Sequence, residues 1–363
     1  MFGGPKLRHE ARRTGATKSV RGRVRLPLSA LGCHSFADES PATWKERSAL
    51  RVVRQMVGAG EPGALASPAD GTSWPLDLRT TRVLGQLKRA RGELEVAGGA
   101  TLVSTIRALE RIEVRLARPL RVAIIGEFNS GKSSLANLLV GIESLPTAVV
   151  SNTRFPTLIH HAPEPAIWAV HLDGRRERLR ANSAAQGQSI LRLEVGLPSA
   201  RLREVQILDL PGLAEPRLDR SPGNLALPQV DAVLWCTVST QAWKESERAV
   251  WDRLPARLRG RGLLVTTNGD LLRDPRDKEK LLRRLRLEAA SFRDVVCVST
   301  NEALSLTHAE ADGSAKTAWD ASGAGALEIA FDALLHSVRQ HRIEAALAVT
   351  RRIAQRSLFR LET

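Results

Sequence analysis

The sequence lacks tyrosine, long hydrophobic runs and closely spaced cysteines. Its three cysteines (Cys33, Cys236 and Cys297) lie far apart, which excludes a disulfide framework or a zinc-binding spacing and favours a reducing compartment. No apolar run approaches the roughly 20 residues that a membrane-spanning helix needs. The N-terminus carries arginines but no hydrophobic core segment, so it does not look like a secretory signal. These absences predict a cytoplasmic protein, with peripheral membrane association left open.

Arginine is what the chain has in excess. Only nine of its 54 basic residues are lysine, and with 39 acidic residues the formal net charge is +15. Because abundant alanine, glycine and leucine accompany the arginines, we ascribe the charge to GC-rich coding and do not expect nucleic acid as a partner. A basic balance still favours anionic partners such as phosphates or lipid head groups. The 363 residues, 43% apolar and 26% charged, fit a folded chain of two to three domains, or of one large domain with flanking elements.

Composition and periodicity divide the chain into five segments. They are a basic, flexible arm (1–75), a flanking helical segment (76–118), an α/β domain (119–307), a polar loop (308–325) and a C-terminal helical segment (326–363). Within the arm a short helix is expected over 43–57; an organelle transit peptide or a mis-assigned start codon are the alternatives for this region.

The α/β domain is predicted from apolar runs that alternate with helical stretches. Continuous apolar strands between helices indicate a doubly wound, mostly parallel sheet that is covered on both faces. The flanking helices, expected over 78–117 with a break at Gly98-Gly99 and over 326–361, carry apolar stripes and should form a short bundle.

The segment Gly126–Ser134 has the form G-x-x-x-x-G-K-[ST], between an apolar strand and a helix. In this arrangement the backbone N–H groups and the start of the helix surround phosphates. A lysine adds positive charge to the β- and γ-phosphates, and a serine hydroxyl can ligate Mg²⁺. The candidate nucleotide-binding residues here are Gly126, Glu127, Phe128, Asn129, Ser130, Gly131, Lys132, Ser133 and Ser134.

Two further motifs each follow an apolar strand. Asp209-Leu210-Pro211-Gly212 can hold a Mg²⁺-bound water through Asp209 and offer the Gly212 N–H to a γ-phosphate, which favours a GTPase over a generic ATPase. The run 266–270 resembles the guanine-reading [NT]-K-x-D form, so Thr267, Asn268 and Asp270 are candidates, although Asn268 replaces the usual lysine. Ser299 fits the last, weakly specific base-contact loop.

A threonine that reaches Mg²⁺ from a mobile loop should lie between the phosphate loop and Asp209. The run 145–157 offers several hydroxyl side chains, and spacing alone does not choose between them.

The motifs GEFNSGKSSLANLLVG, LPTAVVSNTRFPTLIHH, DLPG and TNGD together resemble the dynamin family, and bacterial dynamin-like GTPases in particular. The resemblance covers roughly residues 80–305. It implies that Thr153 is the switch threonine, so that Ser133, Thr153 and Asp209 would hold Mg²⁺. It also implies a catalytic set of Lys132, Asn129 and Thr153, and hydrolysis stimulated when two copies dimerise through this domain.

We therefore expect a Mg²⁺-dependent, dynamin-like protein that binds GTP and GDP and hydrolyses GTP as a homodimer. The alternatives are a GTP-dependent switch with negligible turnover and an RNA- or ribosome-associated GTPase. Arg352, Arg356 and Arg360 form a basic row on the last helix, whose apolar face can pack in the bundle or contact an anionic membrane.

Overall fold

The computed structural model describes residues 41–58, 78–141, 155–180, 189–212, 229–306 and 313–362. The chain forms two compact units, residues 1–44 and 45–363. Of the first unit only residues 41–44, the first turn of a helix, are described. The predicted arm therefore lies largely outside the described residues, while the helix expected over 43–57 is present as Pro41–Gly58.

Ten α-helices occur in the described part of the chain. They are α1 (Pro41–Gly58), α2 (Leu78–Ala97), α3 (Val103–Ala117), α4 (Lys132–Val140), α5 (Glu245–Arg253), α6 (Ala256–Arg259), α7 (Pro275–Glu288), α8 (Thr300–Leu306), α9 (Gly313–Ala321) and α10 (Ala324–Glu362). Gly98 and Gly99 separate α2 from α3, as the sequence predicted, and both adopt positive φ angles.

Nine strands of the described chain form one sheet. They are β1 (Leu120–Gly126), β2 (Thr157–His161), β3 (Ala166–His171), β4 (Arg176–Leu179), β5 (Ile190–Leu197), β6 (Val205–Asp209), β7 (Ala232–Val238), β8 (Gly262–Thr267) and β9 (Asp294–Cys297). Their order across the sheet is β4-β3-β5-β2-β6-β1-β7-β8-β9.

The sheet has a parallel half and a mixed half. Strands β6, β1, β7, β8 and β9 pair in parallel, whereas β2 pairs antiparallel with β6 and β3 pairs antiparallel with both β4 and β5. The predicted mostly parallel α/β sheet is confirmed. Strands β4 and β5 were not predicted, because the charges of Arg192 and Glu194 interrupt the apolar pattern of β5. Glu194 accepts hydrogen bonds from Arg192 and Arg176 at 2.6 and 2.7 Å, which lets a charged residue lie within the sheet.

The parallel half is covered on both faces, which explains why its strands read as continuous apolar runs. Val122 and Ile124 of β1 face a core shared with α4 and the first half of α10. Ala123 and Ile125 face a second core shared with α5 and α7. This second core contains Trp235, Trp243 and Trp251, whose rings pack edge to face.

A third core joins helices α1, α2, α3 and the second half of α10. Ile343 and Ala354 of α10 are buried in it, and Leu347, Leu358 and Leu361 pack against it. The predicted bundle of N- and C-terminal helices is therefore confirmed, and the apolar face of the last helix is used within it.

A buried ion cluster connects this bundle to the sheet. Arg342 of α10 donates to Asp231 Oδ2 at 2.6 Å and to the Arg118 carbonyl at 2.8 Å. Arg118 also donates to Asp231, and the Arg121 N–H donates to Asp231 Oδ2 at 2.9 Å. Burial lowers the pKa of Arg342 to about 10, although Asp231 favours its charged form.

The segment 308–325, expected to be a polar loop, instead contains helix α9 and the start of α10. Trp319 of α9 packs against the first core, so tertiary contact stabilises a helix whose own sequence is mostly polar and small.

Candidate functional site

The phosphate loop, Gly126–Ser134, runs from the end of β1 to the start of α4. Asn129 and Gly131 adopt positive φ angles of 58° and 79°, which bend the backbone around a small cavity. Gly126 has no room for a side chain, since a Cβ there would lie 2.1 Å from the Cys236 carbonyl oxygen. The glycines of the motif are thus required by close backbone approach as well as by the turn.

Neighbouring strands hold this loop from below. Thr267 Oγ1 and Cys236 Sγ each donate to the Ser130 carbonyl at 2.7 Å. Burial raises the pKa of the Cys236 thiol to about 12, so the thiol stays protonated and able to donate. Thr267, predicted as a base-contact residue, is buried and serves here as a support of the phosphate loop.

Lys132 lies folded back on its own loop. Its Nζ donates to the Glu127 carbonyl at 2.6 Å, and only 8% of the residue is exposed. A charged ammonium held against a carbonyl at the start of a helix can exchange that partner for a phosphate oxygen.

The Glu127 side chain points away from the loop. It accepts hydrogen bonds from Lys244 Nζ at 2.9 Å and from Ser246 Oγ at 2.8 Å, where α5 begins. Burial favours a higher pKa for Glu127, but these hydrogen bonds outweigh it and the pKa is lowered. Glu127 therefore ties the phosphate loop to α5, and neither Lys244 nor Ser246 was expected from the sequence.

Asp209, at the end of β6, lies next to the first turn of α4. Ser133 Oγ donates to Asp209 Oδ2 at 2.8 Å. The other oxygen, Oδ1, is buried and has no hydrogen-bond partner among the described residues. Burial raises the pKa of Asp209 to about 6, while Ser133 and Lys132 act in the opposite direction. An open carboxylate oxygen beside a serine hydroxyl is the donor set that a small divalent cation prefers.

The residues after Asp209 reach the phosphate loop. A Cβ on Gly212 would lie 2.8 Å from the Phe128 Cα, so glycine is needed for this approach. Phe128 itself is 58% exposed, an unusual position for an aromatic ring at the mouth of a polar cleft.

These elements surround a cleft of about 550 Å³. Its described lining comprises Phe128, Asn129, Gly131, Lys132, Ser133, Ser134, Phe155, Thr157, Asp209, Leu210, Pro211, Gly212, Asn268 and Asn301. Thr157 pairs with Asp209 across β2 and β6, which brings one hydroxyl of the 145–157 run to the site. Asn301 was not predicted; its position two residues after Ser299 was the available signal.

The predicted base-reading loops lie side by side at the edge of this cleft. Asn268 adopts a positive φ of 53°, which asparagine tolerates well, and Ser239 Oγ donates to its carbonyl at 2.7 Å. A Cβ on Gly269 would lie 3.1 Å from Ser299 Oγ, so the two loops are in contact. Asp270 is exposed, and among these candidates only Asn268 lines the cleft.

Thr153 lies outside the described residues, as do the other hydroxyls of the run from Leu145 to Thr153. Within the described ranges no group of three or more His, Cys, Asp or Glu side chains could hold a metal ion. Ser133 and Asp209 remain a smaller donor set, which suits Mg²⁺ because this ion keeps several waters and binds few protein ligands.

Residues 122–268 match the family model described as the dynamin family. The chain contains a dynamin-family domain. The matched range begins in β1 and ends at Asn268, so it includes the phosphate loop, Asp209 and the first part of the base-reading loop.

Two curated relatives match stretches of similar length. The isoniazid-induced protein IniC of Mycobacterium tuberculosis is 36% identical over 147 residues, which is 35% of this chain and 29% of that protein. Dynamin-like protein 2 of Campylobacter jejuni is 32% identical over 149 residues, 38% of this chain and 24% of that protein. The chain therefore matches less than a third of the length of either relative.

A solved structure shares the overall fold. It is described as an oligomerised bacterial dynamin pair that provides a mechanism for the long-range sensing and tethering of membranes. It aligns with a TM-score of 0.56 and 19% identity, over 80% of this chain and 56% of that one. Together with the phosphate loop and sheet, this similarity shows a P-loop GTPase fold for the dynamin-family domain.

Among the helices that the structure describes, none combines the length and apolar character that crossing a bilayer requires.

Proposed function

We propose that this chain binds GTP in the cleft and hydrolyses it with Mg²⁺, as a dynamin-like GTPase. The observation that carries the proposal is the meeting of Lys132 and Ser133, at the start of α4, with a buried Asp209 whose Oδ1 is open. Positive charge, helix N-terminus and an available carboxylate oxygen are the groups that a nucleoside triphosphate needs.

Phosphate binding follows from the phosphate loop. Backbone N–H groups of such a loop can surround a phosphate, and the positive end of the α4 dipole lies at Lys132, in the lining of the cleft. Lys132 gives up the Glu127 carbonyl and pairs with β- and γ-phosphate oxygens. The Gly212 N–H, already beside Phe128, is placed to donate to the γ-phosphate.

Mg²⁺ fits the donors that are present. Ser133 Oγ and Asp209 are the residues that would hold it, with Thr153 as the third ligand implied by the family resemblance. When bound, the ion neutralises charge that develops on the phosphate oxygens. Asp209 Oδ1 is buried and unpaired in the described structure, so it is available to the ion. The hydrogen bond from Ser133 to Oδ2 fixes the orientation of the carboxylate.

Hydrolysis in this cleft depends on charge stabilisation. Asp209 is the one acidic side chain of the described lining, which contains no histidine or glutamate to act as a general base. Lys132 and the loop N–H groups stabilise the transferring phosphoryl group. The resemblance assigns Asn129 to charge compensation in a face-to-face dimer, and Asn129 lines the open mouth of the cleft.

Guanine recognition is proposed for Asp270, Asn268 and Ser299, while Thr267, predicted with them, supports the phosphate loop instead. Asp270 is exposed beside the cleft, where its carboxylate can accept hydrogen bonds from a purine N–H. Asn268 lacks the long stem with which a lysine would cover the base, so we expect modest discrimination between GTP and GDP on one side and ATP on the other.

The test is a titration of the protein with GTP, GDP and ATP, combined with phosphate release measured against protein concentration. We expect tighter binding of guanine nucleotides and a turnover rate that rises with protein concentration as dimers form. Lys132→Ala should abolish nucleotide binding. Lys280→Ala, at an exposed lysine on α7, should leave binding unchanged. Equal phosphate release by the wild type and Lys132→Ala would contradict the proposal.

A GTP-dependent switch with negligible turnover is the second candidate. The lack of a general base in the described lining of the cleft favours it. Tight GTP binding without phosphate release at any protein concentration would decide for this alternative.

The fold bears on which residues of the last helix are available for the predicted contact with an anionic membrane. Much of the apolar face of α10 packs in the bundle, while Arg352, Arg356 and Arg360 are exposed and available to lipid head groups. Peripheral association of a cytoplasmic protein and binding to RNA both stay predictions, which vesicle flotation and salt-dependent RNA binding would test.

A further inference from the structure

Helices α3 and α10 leave a groove of about 480 Å³ between them, separate from the nucleotide cleft. Its apolar part is formed by Ala108, Ile112, Ala345, Ala346, Val349 and Ile353. At its base, Thr105 and Ser357 are buried and their hydroxyls hydrogen-bond each other at 2.7 Å. The polar groups of the base are thus satisfied, and what the groove exposes is an apolar surface.

Four arginines flank this apolar strip. Arg111 and Arg115 lie four residues apart on α3, and Arg356 and Arg360 lie four residues apart on α10, so each pair projects from one side of its helix. All four are exposed, and no carboxylate of the described chain forms an ion pair with them. No acidic residue is present among the described residues that line the groove.

Arg342 also lines the groove, but its guanidinium group already has partners within the protein. It is bound to Asp231 and to the Arg118 carbonyl, and it is buried. The groove therefore combines one arginine with a structural role and four whose charges are open to a partner.

We propose that this groove is a docking site for an acidic amphipathic helix of a partner protein. Small side chains at Ala108, Ala345 and Ala346 allow a third helix to approach α3 and α10 closely. Val349 and Ile353 offer contacts to its apolar face, and glutamates on both flanks would pair with the four arginines, whose guanidinium groups bind carboxylates in bidentate geometry. The proposal is independent of nucleotide chemistry.

Charge and shape favour this occupant over two others. A second copy of the chain carries the same net charge of +15 and would bring a basic surface to a basic groove. A bilayer is flat at this scale, and its surface would meet the arginines without filling the strip between two helices. The strongest apolar face of α10, which includes Ile343 and Ala354, is already buried in the bundle.

The experiment uses the full chain and two labelled peptides of the same composition, built from leucine, glutamate and alanine. One peptide places leucines along one helical face between glutamates, and the other scatters the leucines. Binding is measured by fluorescence anisotropy at two salt concentrations. We expect the amphipathic peptide to bind at least about tenfold more tightly than the scattered one, and more weakly at high salt.

Two variants locate the site. Arg111→Glu with Arg356→Glu should weaken binding of the amphipathic peptide by about tenfold or more, whereas the matched pair Arg283→Glu with Arg286→Glu on α7 should leave it unchanged. Val349→Gln, at a residue that is 43% exposed and so tolerates the change, should reduce the preference for the amphipathic peptide. Circular dichroism confirms that each variant is folded.

Other results would overturn the proposal. Equal binding of both peptides, or equal loss in the α7 control, would show attraction by net charge alone. Binding of phosphatidylglycerol vesicles that is lost in the groove variants, without peptide binding, would make the groove a lipid site. Self-association lost in the same variants by sedimentation would assign it to a second copy.

Discussion

The parallel half of the sheet differs in its polar contacts between the carboxyl ends and the amino ends of its strands. At the carboxyl end, Asp209 Oδ1 and Ser130 Oγ are buried without hydrogen-bond partners in the described structure, and Asn129 and Asn268 adopt left-handed backbone conformations. At the amino end, both oxygens of Asp231 are paired, with Arg118, Arg342 and the Arg121 N–H. An open carboxylate oxygen and a left-handed backbone thus lie at the carboxyl end. At the amino end lies a carboxylate with both oxygens paired, beside Arg342, whose Nε is buried without a hydrogen-bond partner in the described structure.

This contrast indicates a ligand site at the carboxyl end of the strands and a structural connection between sheet and bundle at the amino end. Unpaired buried groups lower stability and persist where a bound partner satisfies them. A buried carboxylate whose two oxygens are both paired holds the elements around it in place, and losing one partner leaves its charge uncompensated. The two ends should therefore respond in opposite ways to loss of a charged side chain.

The largest effect is expected at the amino end. Arg342→Met should lower the free energy of unfolding by about 4 kcal/mol, because Asp231 stays buried with an incomplete set of partners. Urea unfolding measures this change. Arg339→Met is the matched control on the same helix: its partner Glu204 is 28% exposed and can be hydrated when left unpaired, so the loss should be smaller, about 1 kcal/mol. Similar losses of stability in both variants would contradict a larger contribution of the Asp231 cluster to stability.

At the carboxyl end the prediction is reversed. Asp209→Asn should leave stability unchanged or slightly higher, since a buried carboxylate with an open oxygen is costly to the folded state. The same change should weaken Mg²⁺-dependent GTP binding by about a hundredfold. Calorimetric titration with and without Mg²⁺ tests the second part. A large fall in the free energy of unfolding, with GTP binding unchanged, would show that Asp209 stabilises the fold and does not hold the ion.

Backbone strain at the carboxyl end gives a smaller effect. Asn268→Ala should lower stability by about 1 kcal/mol, because alanine tolerates a positive φ poorly. Asn268→Gly should be close to neutral, since glycine adopts this conformation freely. Thermal unfolding of the three proteins compares them. If alanine and glycine behave alike, strain is not stored at this residue.

The smallest effect concerns the tie between the phosphate loop and α5. Glu127→Gln should weaken nucleotide binding about threefold, because the ion pair with Lys244 is partly exposed. Lys244→Gln should do the same, and the double variant should add nothing further, which a double-mutant cycle measures. Additive losses would show that the two side chains act separately.

The sequence predicted those parts of the site that depend on neighbouring residues. The phosphate loop was readable because strand, glycines, lysine and helix must follow each other in a fixed order. Asp209 and Gly212 were readable because they follow a strand directly. The contacts of Glu127 with Lys244 and of Asp231 with Arg342 were not, since their partners lie 117 and 111 residues away and meet only in the folded chain.

The same distinction applies to the fold. The alternation of apolar runs with helices predicted the parallel half of the sheet. Strand β5 was missed because its charged residue Glu194 becomes acceptable only through ion pairs with Arg192 of the same strand and Arg176 of β4. Helix α9 was missed because packing of Trp319, not its own composition, stabilises it.

Helix α10 has one thermodynamic consequence. Its 39 residues, about 58 Å of continuous helix, contribute Phe331 to the sheet core and Ile343 to the bundle core. If one half of α10 unfolded, the adjoining turns of the other half would lose their hydrogen-bond partners along the helix. Residues 45–362 should therefore lose their structure in a single cooperative transition, with equal calorimetric and van't Hoff enthalpies, although they contain a sheet and a bundle that look separable.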